Sequence, residues 1–180
     1  MIELRLASAD GLNRLSIGLL DQLAAAPQAR PEARRFILTG NLRCFSAGAD
    51  LAAIAALDGV SAWKLARAGQ HALQAIADSP APFVAAVEGA CLGGGLDLAC
   101  ACRARVCAPT AYFGHHGAKL GLVTGWGGTQ RLPRLVGGAR TLGHLLAAHG
   151  WTAAEARAEG LVAAVCPAGD LLAAAARTSV

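Results

Sequence analysis

Short apolar runs alternate with longer segments of helical periodicity, and glycine or proline punctuates most of the joins. Residues 2–6, IELRL, alternate apolar and polar and predict a short strand. Residues 16–26 carry Leu19, Leu20 and Leu23 at helical spacing and predict a helix ending near Pro27. Residues 35–39, RFILT, read as a buried strand closed by the Gly40-Asn41 turn. The alanine-rich stretch from there to Asp78 predicts one or two helices. Ser79-Pro80-Ala81-Pro82 is a rigid, extended lead into a strand at 83–87, and residues 104–108 form another strand stopped by Pro109. Residues 112–124 look irregular, and 125–128 make a glycine-rich turn around Trp126. Helices are expected over 129–136, 139–149, 152–159 and 171–177, with a last short strand at 161–165. Strands separated by helices along the whole length predict α/β layers with a largely parallel sheet, and no linker or repeat divides residues 1–180 into more than one domain.

One stretch carries chemistry. Residues 84–97 read VAAVEGACLGGGLD: an apolar run ends at Glu88 and Gly89, three glycines follow at 93–95, and a helical pattern begins. A chain that breaks at glycines and re-enters as a helix leaves backbone N–H groups unpaired at the positive end of the helix dipole. Such donors suit an anion or a developing oxyanion. Asp97 lies three residues after Gly94, in the first turn of that helix, so an acid sits beside an oxyanion donor. A second glycine-bearing turn, SAGAD at 46–50, also follows an apolar run. Two N–H groups from separate turns can converge on one carbonyl oxygen.

Composition narrows the classes. Hydrophobic residues make up 54% and charged residues 16% of the chain, which excludes a disordered segment. No apolar run has the length of a membrane span, and the opening MIELRLASAD has no secretory h-region, so a cytoplasmic protein is expected. The net charge of +4 is scattered. Arg30, Arg34 and Arg35 read as the solvated lead-in to a strand, and nucleic acid is not an expected partner. A mild basic balance does suit a substrate carrying phosphates. The six cysteines form no CxxC pair and no Cys/His cluster, which predicts free thiols and no metal site.

Taken together, CFSAGADL at 44–51, PFVAAVEGACLGGGLDLACACRARV at 82–106, YFGHHGAKLGLVTGWGGTQRLPRLVG at 112–137 and ARTLGHLLAAHGWTAAEARAEGLVAAV at 139–165 carry a resemblance. In order and spacing they resemble the enoyl-CoA hydratase/isomerase (crotonase) family. The resemblance implies a crotonase-like (ClpP/crotonase) spiral of ββα units that forms homotrimers or dimers of trimers. It implies a lyase of fatty acid metabolism that acts on acyl-CoA thioesters, with coenzyme A part of the substrate and no separate cofactor. The oxyanion hole is then expected at the N–H groups of Ala49 and Gly94, and the adenine end of coenzyme A along Ser46, Ala47, Ala49 and Asp50.

The acid/base positions depart from the family's pattern. Its hydratases use two glutamates; the first position corresponds to Asp97, one methylene shorter, and the second falls on Gly117. Three outcomes follow: hydration by Asp97 alone or with His115 or His116, another enolate reaction on acyl-CoA, or a non-catalytic CoA-binding or assembly protein. His115 and His116 read either as replacement bases or as packing in a surface turn. Trp126 reads as the rim of the acyl pocket or as core. Lys119 and Arg131 read as surface or helix-end charges, and Glu88 is given no catalytic role. Both termini are short against the family pattern. The opening signature is reduced to ASADGLNRLS, and the C-terminal helical segment beyond 171–180 is missing.

Overall fold

The computed structural model describes residues 1–180. Two parallel-stranded sheets organise it. The first five strands and first four helices are β1 (Ile2–Arg5), α1 (Ile17–Ala29), β2 (Phe36–Thr39), β3 (Cys44–Ser46), α2 (Leu51–Ala55), α3 (Gly59–Ala77), β4 (Phe83–Val87), β5 (Ala90–Leu92) and α4 (Gly94–Ala101). Then come β6 (Ala104–Cys107), β7 (Tyr112–Gly114), a 3-10 turn (His116–Leu120), α5 (Gly128–Val136), α6 (Gly138–Ala147), β8 (Trp151–Thr152), α7 (Ala153–Ala158), β9 (Ala164–Val165) and α8 (Leu171–Arg177). The larger sheet has the order β1-β2-β4-β6-β9 and the smaller β3-β5-β7-β8. Every pairing is parallel except β7 with β8. Successive strand pairs (β2 and β3, β4 and β5, β6 and β7) each put one strand in each sheet, and helices follow each pair. That is a repeating ββα spiral.

The larger sheet is covered on both faces, which explains why its strands read as unbroken apolar runs. One face of the β2 and β4 strands, Phe36, Leu38, Phe83, Ala85 and Val87, joins the main core with Leu20 and Leu23 of α1 and Leu73 and Ile76 of α3. The other face, Ile37, Val84 and Ala86 together with Val106 of β6, packs against Leu171 and Ala175 of α8. The Arg35 guanidinium donates to Ala175 O at 2.9 Å and ties α8 down. Phe36 and Phe83 stack across the β2–β4 ladder with ring centroids 4.9 Å apart.

Several boundaries differ from the sequence reading, each for a local reason. Helix α1 runs through Pro27 to Ala29, because a proline in the last turn removes one donor without ending the helix; Ser16 caps its start by accepting the Leu19 N–H. The segment 112–124 is not irregular throughout, since β7 pairs with both β5 and β8 and the 3-10 turn follows. The short β5 is three residues long and carries too little pattern to separate it from the glycines after it. Only Ala164–Val165 of the expected last strand pairs with β6. Leu161 O is instead taken by the buried Arg105, which donates to it through Nε at 2.7 Å and to Cys102 O at 2.8 Å. Arg105 thus fixes the C-terminal end of α4, where a cation also complements the helix dipole. All six cysteines are free, five of them buried. No helix is long and apolar enough to cross a membrane.

Truncating Phe83 to Ala removes a fully buried ring from the stacked pair at the centre of the larger sheet. The expected loss is about 3–5 kcal/mol of unfolding free energy, read by urea denaturation.

Candidate active site

Two glycine turns meet backbone to backbone. A Cβ on Gly48, whose φ is +85, would lie 2.7 Å from Gly94 N and 2.7 Å from Leu92 O. A Cβ on Gly95 would lie 2.5 Å from Ser46 O. The loops after β3 and β5 therefore interlock only with glycine at these positions. A third turn joins them, because Gly93 N donates to Gly114 O at 2.9 Å. From outside, residues 12–15 strap the first turn: Ala47 N donates to Leu12 O, Leu15 N donates to Gly48 O, and the buried Asn13 amide donates to Cys44 O.

The outcome is a pair of free donors. A Cβ placed on Gly94 would sit 3.5 Å from Ala49 N, so the two residues are side by side. Neither the Ala49 nor the Gly94 N–H donates to an acceptor within the chain. Both residues line a cavity of about 370 Å³ whose wall is mostly apolar and which Asp97, His115, His116 and Gly117 also line. Four residues expected to be catalytic, Ala49, Gly94, Asp97 and Gly117, thus share one cavity.

Asp97 is 2% exposed. Burial raises its carboxyl from the ordinary 3.8 to about 6, against the opposing pull of the Thr124 hydroxyl, the Trp126 backbone and the Arg131 guanidinium. An acid in that range can hold or release a proton near neutral pH. The two histidines differ. Burial lowers the pKa of His115, against a smaller opposing pull from a hydrogen bond to its own backbone. His116 is lowered by burial and then by Lys119, His115 and His149, and its ring sits beside Tyr112. At Gly117 a Cβ would lie 2.7 Å from Leu122 O and 3.2 Å from the His115 Nδ1. The imidazole of His115 occupies the ground where a side chain at 117 would start.

Of the four residues expected along coenzyme A, Ala47 and Ala49 line the cavity, whereas Ser46 and Asp50 do not. Ser46 is fully buried; its hydroxyl donates to Asn13 O at 2.7 Å and accepts from Gly48 N, so its side chain shapes the turn. Asp50 caps α2, accepting from Ala52 N at 2.8 Å. Trp126 is both core and wall: it is 5% exposed, and its indole fills notches left by Gly69 of α3 and Gly94 of α4. Arg131 is not a plain surface charge, since its guanidinium donates to Trp126 O at 2.9 Å and to Gln74 Oε1 at 3.1 Å. Two parts of the site escaped the sequence reading. One is the apolar wall from α2 and α3, including Ile54 and Leu65, whose alanine-rich pattern gave no contrast between faces. The other is Thr124, for which the only signal was a hydroxyl just before a glycine-rich helix start. No group of three or more His, Cys, Asp or Glu side chains is placed to hold a metal ion.

Comparison with known proteins places the chain. The family model described as enoyl-CoA hydratase/isomerase matches residues 1–179. A probable enoyl-CoA hydratase of Bacillus subtilis is 42% identical over 134 residues, covering 72% of this chain and 52% of the relative. A probable enoyl-CoA hydratase of Mycobacterium tuberculosis is 38% identical over 167 residues, covering 89% of this chain and 63% of the relative. The chain therefore spans between about half and two thirds of these curated relatives' length. The crystal structure of an enoyl-CoA hydratase from Bacillus anthracis superposes with a TM-score of 0.89 at 33% identity, over 97% of this chain and 70% of that one.

The raised carboxyl of Asp97 makes stability depend on pH. Its folded value lies above the ordinary one, so its contribution is complete below 3.8 and is lost as pH rises through about 6. Relative to Asp97→Asn, the wild type should lose about 2.5 kcal/mol between pH 4 and pH 7.5, read by urea denaturation across that range. A difference that stays flat with pH would show that Asp97 is not titrating in the buried state.

Proposed function

Because the chain belongs to the enoyl-CoA hydratase/isomerase family and has its crotonase fold, we propose that it binds an acyl-CoA thioester and hydrates a 2-enoyl-CoA to the 3-hydroxyacyl-CoA. The observation that carries this reading is the convergence of two unpaired N–H groups and one buried acid on a single apolar cavity. The Ala49 and Gly94 N–H groups hold the thioester oxygen and stabilise the charge that develops there. Water oxygen bonds to the β-carbon, its proton passes to the Asp97 carboxylate, and the double-bond electrons move onto the thioester oxygen. As the enolate collapses, the α-carbon takes a proton. Asp97 is the only carboxylate on the cavity wall, so it both receives the proton and returns it. His115, kept neutral at pH 7 by burial, stands where it can share that transfer. In the cell this reading places the protein in the cytoplasm as a homotrimer or dimer of trimers.

A second reading has a specific support. A Cβ at Gly117 would lie 2.7 Å from Leu122 O, so the backbone leaves no room there for a second carboxylate. A site with one acid is sufficient to move a proton between two carbons of an enolate, as a double-bond isomerase does.

Incubation with crotonyl-CoA should bleach the enoyl-thioester absorbance as 3-hydroxybutyryl-CoA accumulates. Asp97→Ala should lower kcat at least about a hundredfold. Unchanged turnover in that variant would remove Asp97 from the chemistry. Conversion of a 3-enoyl-CoA to the 2-enoyl-CoA without hydration would favour the isomerase, and calorimetric binding of acyl-CoA with no turnover of either substrate would favour a non-catalytic binder.

A further inference from the structure

We propose that Thr124 is a positioning residue for Asp97: from the turn leading into α5, its hydroxyl grips the carboxylate and sets the direction in which the acid meets the cavity. This rests on the reading of Asp97 as the proton-transfer group. Thr124 Oγ1 lies 2.8 Å from Asp97 Oδ1 and 2.8 Å from Oδ2. The same oxygen accepts the Gly128 N–H at 3.1 Å. With the Gly128 N–H held at the oxygen, the hydroxyl hydrogen is what Thr124 offers, and it is aimed between the two carboxylate oxygens. Thr124 is itself 5% exposed, so water does not compete for that bond.

The start of α5 is shaped around this pair. A Cβ on Gly128 would strike Asp97 Oδ1 and would lie 2.5 Å from Thr124 Oγ1. The helix therefore begins on glycine because the carboxylate and the hydroxyl occupy the space. Asp97 on α4, Thr124 on the preceding turn and Gly128 on α5 form one latch. Any tilt of the carboxylate out of the cavity wall would cost the hydroxyl bond, which is charge-assisted and buried.

Other groups act on Asp97 more weakly than Thr124 does. Arg131 of α5 acts only through its charge, since its guanidinium nitrogens are committed to Trp126 O and Gln74 Oε1. Cys91 of β5 and Cys100 of α4 are neutral buried thiols whose own values are raised. His115 lies on the same cavity wall and is neutral at pH 7. The Trp126 backbone adds a smaller stabilisation of the ionised form than the Thr124 hydroxyl does.

The test is a carbon-13 NMR titration of the Asp97 carboxyl in the free protein, assigned with Asp97→Asn. The wild-type midpoint is expected near 6. Removing the hydroxyl in Thr124→Val, or in the smaller Thr124→Ala, takes away a donor to the ionised form and should raise the midpoint by about one to two units. Thr124→Ser should hold it at the wild-type value. A folded Thr124→Val or Thr124→Ala with an unmoved midpoint overturns the proposal, and so does a Thr124→Ser midpoint that rises with them. In parallel, the acid limb of the kcat profile for crotonyl-CoA should move to higher pH in Thr124→Val, with KM changed little. A hydration rate indifferent to Asp97→Asn would instead reject the role of Asp97, while the NMR midpoint still decides the latch.

Discussion

The site depends on one constraint, the backbone contact between the turn after β3 and the turn after β5. Gly48 presses on Gly94 N and Leu92 O, and Gly95 presses on Ser46 O, at separations that no Cβ could share. That contact sets Ala49 N beside Gly94 and leaves both N–H groups without acceptors. Ala49 and Gly94 are only half-buried, so their N–H groups, left without acceptors in the chain, are open to an acceptor that enters the mostly apolar cavity. The interlock, strapped from outside by residues 12–15, keeps them in place. A backbone site built this way has no side chain to lose its rotamer, so its geometry is as firm as the sheets that carry the turns.

Desolvation then gives the acid its character. Asp97 has its backbone at the positive end of α4 and its carboxyl almost wholly out of water. Burial alone would push the carboxyl towards the neutral form, and the Thr124 hydroxyl, Trp126 backbone and Arg131 charge pull back. The balance sits near 6, where both protonation states are within reach at cellular pH. The α4 helix holds this balance from both ends, with glycines at its start and the buried Arg105 guanidinium at its last carbonyls.

Much of the scaffold was legible from pattern. The apolar runs FILT and FVAAV read as strands buried on two faces, and they are, between the main core and α8. The glycines at 93–95 marked the start of α4 and put Asp97 in its first turn. Shorter elements were not legible. Strands β5, β7 and β8 are three, three and two residues long, and such segments pair because neighbouring strands present a ladder, not because of their own propensity. The local roles of the Ser46 and Asp50 side chains were not legible either: both are taken up in shaping the turn and capping α2, as short polar side chains beside a turn often are.

The sequence by itself determined the α/β order, the two glycine turns, the acid one helical turn from a free N–H, and the missing side chain at 117. These are local properties, set by periodicity, by glycine's lack of a Cβ and by spacing along one chain. Only the tertiary structure decided that the two turns face each other, that the His115 ring fills the ground beside Gly117, and that Thr124 holds Asp97 from 27 residues away. Each of those depends on which segments the two sheets bring side by side, and on how much water that packing removes from a carboxylate.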